Sequence, residues 1–337
     1  MLENELAKNL EPIRNMFLAQ AILALFDTEV FEKLKGNVSK SINALADEAD
    51  ISPYRLEGLV LYLKNEGLID LDENEVPCLT DRGLALENTK PWYQLLVGGY
   101  GRTLLDLPAM LSDRSKYGSR VGEYVGRGSC GISQFDALPM TRELIFGIGQ
   151  EPDCIVDIGC GDGSYLVDLC RSFPKTQAIG IEPDDSSVLV ARDLIARSGL
   201  TDQAVVKKGD LETIADLEGL PSKTVFVVAF VLQEALEQSG EDEIVAILGR
   251  IKALHPHGKI VVIEVDRADR DTTKMMSALG LGYYNPYFLI HRLTEQRLEP
   301  PSFWEEIFSN AGWKVDRRVY PEPSYDSLQL KIGFLLS

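Results

Sequence analysis

The apolar positions of this chain change rhythm near residue 152. Ahead of it they fall at helical spacing: Ile13, Phe17, Leu18, Ile22, Leu25 and Phe26, then Val30, Phe31 and Leu34 up to Gly36. Apolar residues occupy more than one side of this stretch. That predicts burial on several sides, either in the chain's own core or against a second copy. Ser41 can cap a short helix that buries Ile42, Leu45 and Ala49. Ser52-Pro53 opens another, with Leu56, Leu59, Val60 and Leu63 inside and Gly67 at its end. GLIDLDENEVPCLT then alternates as a small hairpin with DEN at its tip. Helix, turn, helix and a two-stranded wing predict an all-α, winged-helix domain over residues 1–90. Its second helix carries only Arg55 and Lys64 against Glu57 and Glu66, whereas DNA readout needs a basic face. A packing or dimerisation role is expected instead.

Residues 91–140 read as a link: a long helix broken near Gly98-Gly99, then a glycine-rich loop, YGSRVGEYVGRGSCGISQFDA, placed to close over a ligand. From 141 to 337 short apolar runs alternate with amphipathic stretches. CIVDIGCG, QAIGIEPD, AVVKKGD, TVFVVAFVLQE and KIVVIEVD are strands, and the segments between them are helices. That pattern predicts a doubly wound, mostly parallel sheet. WKVDRRVYPEP and SLQLKIGFLLS have no helix between them and predict a terminal antiparallel hairpin joined by a short proline turn. Residues 268–297 form an insert before it.

Composition narrows the function. Net charge is -18, from 52 acidic and 34 basic residues, so the surface repels phosphate backbones and nucleic acid is not an expected partner. Cys78, Cys130, Cys154, Cys160 and Cys170 are odd in number and form no CxxC pair, which argues against a disulfide framework or zinc cage. The opening MLENELAKNLEP is polar and acidic, and no apolar run is long enough to span a bilayer. A cytoplasmic protein without a membrane partner is expected.

The chemistry concentrates at three strand ends. One strand ends at Asp157, and Gly159, Gly161 and Gly163 follow before a helix begins near Ser164. Glycines there allow a tight turn and a close approach by a ligand. The next strand ends at Glu182, whose carboxylate can accept both hydroxyls of a ribose; the third ends in Gly209-Asp210-Leu211, where Asp210 can accept from an adenine amine and Leu211 can pack on its face. A nicotinamide dehydrogenase shares the first two features, but its spacing is GxGxxG and here it is GxGxG.

DIGCGDG, Glu182, the GDL at 209–211 and the terminal hairpin resemble the class I S-adenosylmethionine-dependent methyltransferases, with a Rossmann-like domain. The winged-helix segment ahead of them resembles the small-molecule O-methyltransferase subfamily, which is typically homodimeric. The resemblance implies S-adenosyl-L-methionine as methyl donor. Asp157, Gly159 and Gly161 would contact its methionine half, Glu182 its ribose, Asp210 and Leu211 its adenine, and Phe230 would lie near it. Many relatives place a general-base histidine just after the fourth strand; here that stretch reads Val231-Leu232-Gln233-Glu234, and Gln233 takes no proton at neutral pH. His255 and His257 fall in the turn before the next strand, at the wrong end of the sheet, and are expected in solvent. His291 lies in the insert that helps to wall the substrate pocket in this family.

EPIRNMFLAQAILALFDTEVF and VGRGSCGISQFDALP are more similar to the α-keto-acid C-methyltransferases, which methylate the β-carbon of compounds such as 2-ketoarginine or phenylpyruvate. That finer resemblance makes a small α-keto acid the expected substrate. Arg127 could grip its carboxylate, and His291, Glu234 or Glu264 could move its β-proton. A cationic side chain on the substrate would suit Glu234, Glu237, Glu264 and Asp266. Some relatives use a divalent or ferric metal held by histidines; Gln233 at the strand-four position puts such a metal in doubt. Two alternatives remain: an O-methyltransferase with Glu234 or His291 as base, and a winged-helix regulatory protein that only senses the cofactor.

Overall fold

The computed structural model describes residues 2–36, 40–113, 115–213, 217 and 219–337. The chain divides into two compact units, residues 1–101 and 102–337. In the first, a helix over Leu2–Asp27 meets a short one over Val30–Lys35 at Glu29, whose φ of 58° breaks the run. Helices Ile42–Ala49 and Pro53–Asn65 follow, then β1 (Ile69–Leu71) and β2 (Pro77–Leu79), paired antiparallel. The Ser41 hydroxyl accepts from the Ala44 N–H at 3.3 Å, as a cap should. Ser52 makes no side-chain cap, so Pro53 alone sets that helix start. Gly67, at φ 75°, closes the helix while the Leu68 N–H reaches back to the Leu63 carbonyl at 2.9 Å. Leu25, Phe31, Leu45, Leu56 and Leu63 form the core of this unit. Only the C-terminal half of the first helix enters that core; Leu6, Ile13 and Phe17 stay exposed.

The second unit is built on a seven-stranded sheet of β3 (Cys154–Ile158), β4 (Gln177–Glu182), β5 (Ala204–Lys208), β6 (Thr224–Ala229), β7 (Lys259–Val265), β8 (Val315–Val319) and β9 (Lys331–Leu336). Their order is β5-β4-β3-β6-β7-β9-β8. β3 through β7 run parallel, and β9 enters antiparallel between β7 and β8. All residues of β3 and β9 are buried, which is why they read as continuous apolar runs. Helices cover both faces: one core gathers Phe226, Leu248, Trp304 and Phe334, the other Leu144, Ile155, Leu169 and Val261. The order reverses between β3 and β6, where a doubly wound sheet opens its ligand crevice.

Several details depart from expectation. The stretch expected as a glycine-rich loop folds as a helix over Gly122–Ser133. Gly128, Ile132 and Ser133 give it a buried face, while at Gly122 and Gly126 a Cβ would meet nothing within 4 Å. The preceding helical run is broken as expected, into a π-helix over Tyr93–Gly99 and helices Gly101–Leu105 and Leu107–Ser112. β8 and β9 are joined by residues 320–330 rather than a short turn. Asp326 orders that segment, accepting from the Leu328 N–H at 3.1 Å and the Tyr284 hydroxyl at 2.5 Å. His257 is exposed, but His255 is half-buried, its ring 5.2 Å from that of Phe226. Among the described residues no helix is long and apolar enough to cross a membrane.

Candidate active site

The glycine turn after β3 is stitched to the neighbouring strand tip. The Gly159 and Cys160 N–H groups donate to the Ile181 carbonyl at 2.8 and 3.1 Å, and the Gly161 N–H donates to Glu182 Oε2 at 3.0 Å. The Asp184 N–H holds Glu182 Oε1 at 3.0 Å, so this carboxylate is fixed by two backbone donors. From β5, the Gly209 N–H donates to the Glu182 carbonyl at 3.1 Å. The three tips therefore meet along one edge. Gly159 sits at φ 73°, and a Cβ on it would fall 2.7 Å from Val231. The helix Gly122–Ser133 lies over this turn: the Cys130 sulfur is 3.6 Å from the place of a Gly161 Cβ.

Asp157 is buried beneath the turn. Burial, with the charge of Glu182 adding to it, raises its carboxyl to about 7. Burial also raises Glu182 above the usual carboxylate range, against its two backbone donors. Asp210 is exposed at the rim; its Oδ1 accepts from the Thr213 N–H at 3.0 Å and hydroxyl at 2.6 Å, bonds that hold it below the usual range. Leu211, expected on an adenine face, is buried in the hydrophobic cluster with Ile158, Ile181 and Val228. Phe230 follows β6 in a left-handed conformation at φ 59°, its N–H held by the Ile263 carbonyl at 2.9 Å. Such strain in a non-glycine residue collects at ligand sites.

The other half of the site is built on the helix Leu232–Ser239 and the insert helix Asn285–Leu293. Glu264 on β7 is fully buried, and its Oε1 accepts from the Leu232 N–H at 3.1 Å. Burial raises it to about 8, so it is mostly protonated at neutral pH. The Gln233 amide nitrogen lies 3.3 Å from His291 Nε2 and donates to Gln296 Oε1 at 3.2 Å, all three side chains being buried. His291 Nδ1 lies 2.7 Å from the Tyr287 carbonyl, which can only accept. The imidazole proton is therefore on Nδ1, and Nε2 presents a lone pair. Burial lowers this histidine to about 4, which keeps it neutral. A cleft of about 290 Å³ opens beside it, lined by Tyr117, Glu237, Phe288 and Gln296 among others. Glu234, half-buried, pairs with Arg120 at 2.5 Å. Arg127, expected to grip a carboxylate, is exposed and paired with Glu123 on its own helix. Asp157 Oδ2, Gln233 Oε1 and Glu264 Oε2 are buried with no partner among the described residues, near the ends of β3 and β7 and on the helix after β6. Buried acceptors are normally satisfied, so three orphans along one edge fit a polar ligand.

Along the sequence, a methyltransferase-domain family profile matches residues 155–258, from β3 to the turn before β7. Over 336 residues, spanning 99% of this chain and 96% of the relative, the protein is 38% identical to the 2-ketoarginine methyltransferase of Streptomyces arginensis. The chain belongs to the S-adenosylmethionine-dependent methyltransferases. The methyltransferase shares its fold with the mitomycin 7-O-methyltransferase at a TM-score of 0.69 and 18% identity, covering 99% of this chain and 98% of that one. It also resembles an O-methyltransferase from neocarzinostatin biosynthesis, solved with S-adenosylmethionine and 2-hydroxy-5-methyl naphthoic acid, at a TM-score of 0.59, 16% identity and 95% coverage of both chains. S-adenosylmethionine is thus the methyl donor of this enzyme, and the glycine turn, the fixed Glu182 and the orphaned Asp157 oxygen fit it. Among the described residues no group of three His, Cys, Asp or Glu side chains could hold a metal ion.

Sequence reasoning did not find Arg120, Tyr287 or Gln296. Arg120 stands outside any motif, and Gln296 and Tyr287 become meaningful only once the insert folds against Gln233. The four-residue spacing of Tyr287 and His291 on one helix was the available signal.

Proposed function

We propose that this methyltransferase transfers a methyl group to the β-carbon of a small α-keto acid such as 2-ketoarginine. The observation that carries this reading is the buried Gln233–His291–Gln296 cluster, which puts an amide where a phenol methyltransferase would carry its base and moves the imidazole to the insert. The full-length likeness to a 2-ketoarginine methyltransferase supports the same acceptor.

In this reading Asp157, Gly159 and Gly161 hold the methionine half of the donor, Glu182 its ribose and Asp210 its adenine amine, with Phe230 closing the side near β6. The bound donor supplies a methyl group on a sulfonium, which leaves as a neutral thioether. His291 Nε2 takes the β-proton, and the released electron pair forms the new carbon–carbon bond. The Tyr287 carbonyl fixes the tautomer that allows this. Glu264, protonated, holds the Leu232 backbone and so the helix that carries Gln233 and Glu234. The cleft beside His291 has room for a small acceptor, and positioning supplies a large share of the rate.

Labelled donor incubated with a panel of α-keto acids and phenols, with and without chelator, tests the reading. A methyl group that survives ester hydrolysis is expected on the keto acid. Label found only on phenolic oxygens would establish the O-methyltransferase alternative.

A homodimer is the proposed assembly. The first helix leaves Leu2, Leu6, Leu10, Ile13 and Phe17 exposed at spacings of three and four, an apolar stripe ahead of the winged-helix elements. The free thiols suit a reducing, cytoplasmic setting. Sedimentation equilibrium is expected to give twice the chain mass.

A further inference from the structure

Residues 117–120 form a strap in which each consecutive position is fastened to a neighbour. The Tyr117 hydroxyl donates to Glu237, and the Gly118 N–H donates to the Leu293 carbonyl at 2.7 Å. The Ser119 carbonyl accepts from the Thr103 hydroxyl at 2.5 Å, and Arg120 reaches Glu234 Oε1 at 2.5 Å. Gly118 admits no side chain: a Cβ would fall 2.4 Å from the Thr103 methyl and 2.8 Å from the Met110 sulfur. The strap is therefore held tightly, and Arg120 projects from a fixed base. Glu234 and Glu237 lie three residues apart on their helix, and both face the strap.

Glu234 follows Gln233 on the helix after β6, so the Arg120–Glu234 pair borders the acceptor half of the site. The charge on Glu234 is felt at Glu182, where the donor ribose is placed. The charge on Arg120 is felt at His291, which it helps to keep neutral. The Arg120 and Glu234 side chains are 29% and 35% exposed, so the pair is open to a ligand rather than sealed in a core. A half-exposed pair of this kind is weak and opens at little cost. A guanidinium fork also matches a carboxylate in the bidentate geometry that lysine cannot offer.

We propose that Arg120 and Glu234 read the two ends of a doubly charged acceptor: its carboxylate takes Arg120, its cationic tail takes Glu234 and Glu237, and the ion pair between them opens as it enters. This deepens the keto-acid reading and rests on it. It assigns the acceptor's carboxylate to the strap rather than to Arg127. It also gives the active site a reason to hold an ion pair of its own, since each member keeps the other solvated and oriented until the acceptor replaces both.

Steady-state kinetics test it, with 2-ketoarginine and a straight-chain, uncharged 2-oxo acid of similar length as acceptors. Arg120→Gln is expected to raise KM about tenfold or more for both, with a smaller change in kcat, and Arg120→Lys to recover part of the loss. Glu234→Gln is expected to lower the ratio of kcat/KM for 2-ketoarginine over the uncharged acid by about tenfold. Calorimetry with S-adenosylhomocysteine identifies any variant whose donor site has collapsed, and Arg120→Lys and Glu234→Asp then carry the same comparison. An unchanged ratio in Glu234→Gln, or a wild-type KM in Arg120→Gln, overturns the assignment. If the wild type methylates keto acids while the variants show no shift, this pairing alone fails. If the wild type methylates only phenols, the keto-acid reading fails with it.

Discussion

Glu264 offers a direct test of how far the active-site edge is sealed. Its side chain is fully buried; one oxygen accepts from the Leu232 N–H and the other has no partner among the described residues. Burial raises its pKa from 4.5 to about 8. Between those values the folded chain keeps a proton that the unfolded chain has released, so this residue's contribution to stability is full below pH 4.5 and is lost as pH rises to 8. The slope is about 1.4 kcal/mol per pH unit, so between pH 5 and 7 the wild type should lose about 2–3 kcal/mol through this group alone. Glu264→Gln keeps the acceptor for Leu232 and does not titrate. Urea denaturation of both ligand-free proteins at pH 5, 6, 7 and 8 isolates the effect, because Asp157 and His291 titrate equally in each. The stability difference should move steadily in favour of the variant and level off above pH 8. Parallel curves would show that water reaches Glu264 and that its carboxyl ionises in the ordinary range.

Four further outcomes follow from the same geometry. Gly159→Ala should lose about 1–3 kcal/mol and most of its donor affinity, because strain at φ 73° is joined by a 2.7 Å contact with Val231; Gly149→Ala, at φ 80° with open space, should lose stability only, and equal losses by thermal denaturation would refute the packing argument. Lys331→Met strands the buried Asp136 carboxylate and should cost about 3–5 kcal/mol in urea, whereas a cost below about 1 kcal/mol would show that the pair is hydrated. Asp210→Ala should weaken S-adenosylmethionine about tenfold by calorimetry, and unchanged affinity would remove Asp210 from the adenine site. With donor saturating, kcat/KM for the acceptor should show no acid limb near 6.5, since His291 is a base that protonates only near 4; a limb at 6.5 that vanishes in His291→Ala would mean a solvated imidazole.

The strand ends proposed to hold the donor were legible from sequence because each closes an apolar run. Apolar positions indicate where β3, β4 and β5 stop, so Asp157, Glu182 and Asp210, each within two residues of a strand's end, fall at the carboxyl edge of the sheet. The acceptor side was not, because its residues come from the strap, the helix after β6 and the insert, which meet only through tertiary contacts. Arg127 was a sound choice by residue type, yet helix formation over Gly122–Ser133 pairs it with Glu123. Arg120, seven residues earlier, gains its place from the glycine that lets the strap lie against Thr103 and Met110. The glycines of that stretch signal a turn in isolation, but Gly122–Ser133 is helical and buries Gly128.

Moving the imidazole from the helix after β6 to the insert changes what the enzyme must do with it. A base on a strand-linked helix would be placed by the sheet itself. His291 is instead carried by a segment whose hold on the sheet is polar and buried: Tyr284 to Asp326, Gln233 to His291 and Gln296, and the Arg297 N–H to the Gln233 carbonyl at 2.8 Å. Buried hydrogen bonds of this kind are costly to leave half-made, so they favour one docking of the insert over neighbouring ones. The same burial that secures the imidazole lowers its pKa to about 4 and weakens it as a base. The site therefore trades basicity for position. A β-hydrogen beside a ketone is a far weaker acid than a phenol hydroxyl, so a base this weak can take it only in concert with methyl transfer, from an acceptor held in line with the donor; position then has to supply what basicity does not.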